Sequence, residues 1–119
     1  RPNVAVANRV VGDVRGRQCV IVDDLIDTAG TITEAVRVLF QEGADEVIVA
    51  ATHGVLSAPA SQRLASCGAS EVIITDTLPV TPEQQFDQLT ILSVAPLLAR
   101  GIHEVFEDGS VTSMFDGES

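Results

Sequence analysis

Three times along this chain an apolar, β-branched run gives way to a polar loop and then to a helical spacing of apolar residues, and that rhythm restricts the fold most. Alternation of this kind marks βαβ units, in which parallel strands are joined by right-handed crossovers. The first unit is the clearest. Cys19 to Val22 form a continuous apolar run that ends in Asp23 and Asp24. After a loop, Ile32, Ala35, Val36, Leu39 and Phe40 recur at the spacing of one helical face, and Gly43 supplies a stop. This predicts a helix from Thr31 to Glu42. Val47 to Ala51 read as the second strand, followed by a short helix that Ser57 and Pro59 open and that ends near Gly68. Val72 to Thr75 and Leu89 to Leu92 read as the third and fourth strands, with Pro79 and Pro82 marking the loop between them. Leu98, Ile102, Val105 and Phe106 share one face of a last helix, which Gly109 closes. Ahead of all these, Val4 to Val11 read as a further strand, turning at Gly12-Asp13 and Arg15-Gly16. The expected class is α/β: a parallel sheet with helices on both faces, in a single domain over residues 1–119.

Composition narrows the function. Apolar residues make up 45% of the chain but aromatics only 3%, so Val, Ile, Leu and Ala must fill the core, as suits buried parallel strands. Lysine is absent, arginine supplies all 7 basic charges, and 17 carboxylates bring the formal charge to -10. Such a chain repels nucleic acid and anionic membranes, so neither is an expected partner. Any anion site in it must rely on backbone N–H groups, a metal ion or arginines. Cys19 and Cys67 lack CxxC spacing and are expected as reduced thiols. No apolar run nears the roughly 20 residues that span a bilayer, and no signal-peptide pattern opens the chain, so a soluble cytoplasmic protein is expected. The start at Arg1-Pro2-Asn3, without Met, suggests a processed or excised piece.

In an open parallel sheet, ligands bind beyond the carboxyl ends of the strands, which makes the loop from Asp23 to Thr31 the leading candidate. Thr28, Ala29, Gly30 and Thr31 place successive N–H groups at a helix N-terminus, where free donors and the helix dipole favour a phosphate. Gly30 is expected to let the chain bend close to the ligand. The two threonines add hydroxyl donors without adding charge. Asp23 and Asp24 can accept hydrogen bonds from vicinal ribose hydroxyls or hold Mg²⁺ through water. The blander reading makes Thr31 an N-cap, with Glu34 completing a capping box and the acids a solvated turn. The run is neither a Walker loop nor a dinucleotide fingerprint, lacking both glycine patterns. His53, just past the second strand, is expected as a loop histidine bonded to backbone, with a catalytic role as the alternative. His103 is expected on the surface, and Asp76 and Thr77 close the third strand near the crevice.

The run VIVDDLIDTAGT resembles the PRPP-binding signature of type I phosphoribosyltransferases, in the form used by PRPP synthases. Flanking text, VVGDVRGRQC before it and ATHGVLS, DTLPV and GSVTSMF after it, is similar to PRPP synthases in order and spacing. The resemblance implies a type I phosphoribosyltransferase-like C-terminal domain of a ribose-phosphate diphosphokinase. That enzyme transfers diphosphate from Mg-ATP to ribose 5-phosphate, giving PRPP and AMP. It implies that Asp23 and Asp24 engage the ribose and its Mg²⁺, and that Asp27, Thr28, Ala29, Gly30 and Thr31 wrap the 5-phosphate. It further implies an allosteric phosphate site at Ser110, Thr112 and Phe115, or else a plain edge strand with a hydrophobic anchor there. The family's ATP pocket and catalytic Lys/Arg loop precede the text matched here, so no catalytic residue is expected in this chain and inactivity alone is. The implied partners are ribose 5-phosphate, ATP, the N-terminal half of the same enzyme, and further copies in a hexamer. Two alternatives remain: a type I phosphoribosyltransferase that consumes PRPP, and a non-catalytic PRPP synthase-associated subunit.

Overall fold

A computed structural model describes residues 12–115. The expected strand from Val4 to Val11, and Arg1-Pro2-Asn3, lie outside the described residues. Within them, β1 (Gln18–Ile26), β2 (Glu46–Gly54), β3 (Glu71–Thr75) and β4 (Leu89–Leu92) form one parallel sheet in the order β1-β2-β3-β4. Cys19 pairs with Val47, Val49 with Val72, and Ile74 with Ile91. Helices α1 (Gly30–Gln41) and α2 (Ala60–Ser66) form the first two crossovers, and α3 (Ala95–Phe106) follows β4. The α/β parallel-sheet class is as the sequence predicts.

The core follows from side-chain periodicity. Val47, Val49 and Ala51 alternate onto one face of β2, and Val72 and Ile74 onto the same face of β3. Ile32 and Val36 of α1 and Ala60 and Leu64 of α2 pack into that same cluster. Each fully buried Val, Ile or Leu contributes about 1.5 to 3 kcal/mol relative to exposure, so this layer dominates the fold. Both crossover helices thus lie on one face. On the other, Val20 and Val22 of β1 are exposed, Val22 at 78%, and Ile48, Ala50 and Ile73 are half-buried.

Strand lengths differ from the apolar runs that signalled them. β1 continues through Asp23, Asp24 and Leu25 to Ile26, and β2 through Thr52 and His53 to Gly54. The reason is that backbone pairing does not need apolar side chains: Asp23 pairs with Ala51, and Leu25 with His53. α1 stops as expected at Gly43, whose φ of 95° lets the Gly43 and Ala44 amides bond back to Phe40 and Leu39. At the end of α3 the left-handed residue is Asp108 rather than Gly109, with φ 53°. Gly109 instead donates its amide to Glu104 at 2.7 Å.

α3 buries none of its residues, and its apolar stripe of Leu98, Ile102, Val105 and Phe106 faces solvent. Its entry is held electrostatically. The Val94 amide donates to Asp76 Oδ1 at 2.9 Å, and the Ala95 amide donates to Ser93 Oγ at 3.1 Å. The Val94 bond above all, then the Ser93 hydroxyl, holds the Asp76 carboxyl below its ordinary pKa of 3.8. A lowered folded-state pKa means that the carboxylate stabilises the fold fully above pH 3.8, and that this contribution vanishes as pH falls through the folded value. Asp76→Asn is therefore expected to lower the melting temperature slightly near neutral pH and to melt like the parent in strong acid. Coincident melts near neutrality would show that Asp76 anchors nothing.

Candidate functional site

At the carboxyl edge of the sheet, the end of β1, the turn after it and the start of α1 together carry three acids and two threonines. Asp23 and Asp24 lie inside the strand rather than after it, and both border the cavity that runs on to the start of α1. The Asp23 carboxylate accepts the Asp24 amide at 2.8 Å. Among the described residues no three His, Cys, Asp or Glu side chains converge as a metal site. The pair still fits Mg²⁺, which binds proteins through one or two carboxylates and keeps water or substrate oxygens for its other positions.

The turn beyond Ile26 is shaped by Ala29, which is buried and sits in the left-handed region at φ 69°, ψ 11°. That conformation costs an L-residue about 1 to 2 kcal/mol. A left-handed residue followed by the right-handed Gly30 aims successive amides into one concavity, the geometry of an anion nest. Among the described residues, no hydrogen bond uses the amides of residues 27 to 32. Residues 23 to 32 line a cavity of about 360 Å³, within the usual range for small-molecule sites.

Two expectations for this turn are corrected. Thr31 is not the N-cap: Ala29 is, without a side-chain cap, because a left-handed residue there cannot present the extended geometry that capping hydroxyls use. Glu34 completes no capping box and instead pairs with Arg37, whose Nε donates to both carboxylate oxygens at 3.0 Å. Thr33 rather than Thr31 bonds locally, donating its hydroxyl to the Ala29 carbonyl at 2.7 Å. The bend expected of Gly30 is made by Ala29. A Cβ at position 30 would meet only Arg63 Nη1, at 3.4 Å.

The structure therefore brings Asp23, Asp24, Asp27, Thr28, Ala29, Gly30 and Thr31 around one cavity. Ser110, Thr112 and Phe115 lie elsewhere, on the 3-10 turn Val111–Met114 and its flanks after α3. That segment is not an edge strand, because the Ser113 and Phe115 amides bond back to Ser110 and Thr112. Met114 is buried there while Phe115 is exposed. His53 is a strand residue, and its Nδ1 meets the Thr77 hydroxyl at 2.7 Å rather than backbone. Asp76 turns to α3, as described, and His103 is exposed as expected. Sequence reasoning missed Arg63, whose Nη1 donates to the Thr28 carbonyl at 3.0 Å. No local signal marks it, since the bond joins positions 35 residues apart.

Comparison with known proteins points the same way. The Mycobacterium tuberculosis ribose-phosphate pyrophosphokinase is 64% identical over 118 residues, covering 99% of this chain and 36% of that protein. The protein of the same name from Bifidobacterium longum is 65% identical over 116 residues, 98% of this chain and 34% of the relative. The crystal structure of phosphoribosylpyrophosphate synthetase from Mycobacterium smegmatis matches with a TM-score of 0.82 at 63% identity, over 85% of this chain and 34% of that one. The chain thus spans about a third of the length of these relatives. A family model described as phosphoribosyl synthetase-associated domain matches residues 2–116. With nearly its whole length matched by that model, the chain belongs to the phosphoribosyl synthetase-associated domain family.

Proposed function

We propose that this chain is the ribose 5-phosphate-binding, C-terminal part of a ribose-phosphate diphosphokinase, built as a type I phosphoribosyltransferase-like domain. The whole enzyme would transfer diphosphate from Mg-ATP to ribose 5-phosphate, giving PRPP and AMP. One observation carries the reading: the uncommitted amides of residues 27 to 32 border a cavity beside a strained, left-handed Ala29. Polar backbone groups normally find partners, and a phosphate supplies acceptors for several amides at once. Neutral donors suit this chain, because no lysine is present to neutralise the anion. Gly30 agrees, since a Cβ there would touch only the Arg63 guanidinium, at 3.4 Å, and a bare backbone admits close approach. Thr28 and Thr31 have hydroxyls that bond nothing among the described residues, which leaves them free to donate.

The acids take the other end of the ligand. Asp23 and Asp24 accept hydrogen bonds from ribose hydroxyls and would hold Mg²⁺ partly through water. That ion, when bound, offsets negative charge on phosphoryl oxygens. The chain's own contribution is to fix the acceptor sugar, since positioning supplies much of the rate enhancement in phosphoryl-type transfer. ATP, the catalytic cations and the rest of the pocket belong to the N-terminal half. The exposed stripe of α3 and the open face of β1 support burial against that half and against further copies in a hexamer. Two free thiols, Cys19 and Cys67, support a cytoplasmic setting. Among the described residues no helix is long and apolar enough to cross a membrane.

Calorimetry of ribose 5-phosphate with Mg²⁺ tests the cradle directly. Thr28→Ala with Thr31→Ala is expected to weaken binding roughly tenfold or more, since each lost hydrogen bond to a charged group is worth about 1.5 to 3 kcal/mol. Equal affinity in both proteins would unseat the assignment. The chain alone, given Mg-ATP and ribose 5-phosphate, is expected to form no AMP, and measurable turnover would show that it carries catalytic groups after all. Binding of a nucleobase together with PRPP would favour a phosphoribosyltransferase instead. A second anion site at Ser110, Thr112 and Phe115 belongs to the same proposal. In the complete enzyme, Ser110→Ala with Thr112→Ala is expected to blunt the response to inorganic phosphate, and an unchanged phosphate titration would remove that site.

A further inference from the structure

Arg63 is the side chain on which the cradle's shape turns, although it lines no part of the cavity. It projects from α2, a helix seated in the core through Ala60 and Leu64, both fully buried. From there its Nη1 reaches the Thr28 carbonyl oxygen at 3.0 Å. Among the described residues the ion pair is Arg37 with Glu34, so Arg63 shares its charge with no carboxylate. The bond matters because of what lies on the other side of the same peptide. In a trans peptide the C=O and the next N–H point in opposite directions. Holding the Thr28 oxygen toward α2 therefore turns the Ala29 N–H away from α2.

The alternative orientation is within easy reach. Flipping the Thr28–Ala29 peptide would carry the Ala29 φ from 69° to the negative side, where an L-residue is unstrained. Left to itself, the backbone would relax that way. A flip would also replace the Ala29 donor with the Thr28 carbonyl, an acceptor that repels an anion. We propose that Arg63 is a positioning residue of the anion cradle: its guanidinium, through the Thr28 carbonyl, locks that peptide with the Ala29 amide facing the ligand. The inference rests on the phosphate-cradle reading of the same loop and adds the device that keeps it open. A guanidinium bonded to the loop's carbonyl side also places one positive charge behind a site that three aspartates surround.

The test uses Arg63→Met, which keeps the stem and removes donors and charge, and Arg63→Lys, which keeps the charge and a point donor. Arg63 is exposed, so neither change empties the core, and thermal melts check that both variants fold. Ribose 5-phosphate and inorganic phosphate are titrated by calorimetry, and the ¹⁵N–¹H signal of Ala29 is followed during each titration. Arg63→Met is expected to weaken both ligands roughly tenfold, the factor that 1.4 kcal/mol represents, and to abolish the ligand-induced shift of the Ala29 amide. Arg63→Lys is expected to recover part of both. Undiminished affinity with the parent's Ala29 shift would overturn the proposal. Weakened binding with an unaltered Ala29 shift would overturn it too, because charge alone would then explain the loss. If the parent chain binds neither ligand, the cradle reading itself falls and takes the Arg63 role with it.

Discussion

Burial of Val47, Val49, Val72 and Ile74 beneath Ile32, Val36, Ala60 and Leu64 holds two helices and two strands in one arrangement, and the candidate site is a consequence of it. Because the strands are parallel, every one of them ends at the same edge of the sheet. Because α1 and α2 both lie on the face that these residues cover, the start of α1 stands beside α2 at that edge. The short turn from Ile26 to Gly30 must then reverse direction within a few residues, and the left-handed Ala29 makes that reversal. Strain of about 1 to 2 kcal/mol at one residue is small against a core in which each fully buried aliphatic side chain contributes about 1.5 to 3 kcal/mol. Packing can therefore sustain a backbone shape that the turn would not keep by itself.

Charge explains why the shape matters. A chain with a formal charge of -10 and no lysine is a poor host for an anion, and three aspartates stand around this cavity. Backbone amides and threonine hydroxyls lessen that difficulty, since their partial positive charges attract an anion over a short range and do not titrate near neutral pH. Their effect depends on direction rather than on net charge, so the orientation of single peptides becomes decisive. In such a design an arginine behind the loop does more than one in front of it. It fixes a donor's direction and leaves the cavity itself open.

The described surface is unfinished in a physical sense. Phe106 and Val22 are about four-fifths exposed, and the α3 stripe is bordered by Val111 of its own following turn. Large exposed apolar areas of this kind are the usual mark of association. Asp76 and Ser93 still secure the entry of α3 by accepting its first amides, so the stripe is presented on a defined helix rather than on a loose segment.

Strand–helix alternation, the all-parallel sheet and the run that lines the cavity after β1 were legible in the sequence, because hydrophobic periodicity and the DDLIDTAGT run are local signals. β4 and the stop of α1 at Gly43 fell where turn and capping chemistry put them. The lengths of β1 and β2 did not, since main-chain pairing carries polar residues such as Asp24 and His53 into a strand without any apolar mark. The capping box at Thr31 and Glu34 also failed, because the left-handed turn at Ala29 and the pull of Arg37 on Glu34 outweighed a local pattern. Only the tertiary structure decided the His53–Thr77 pair, the Asp76 anchor and the Arg63–Thr28 bond. Each joins residues brought together by sheet order and helix packing, and no spacing along the chain encodes a contact that exists only after the core has closed.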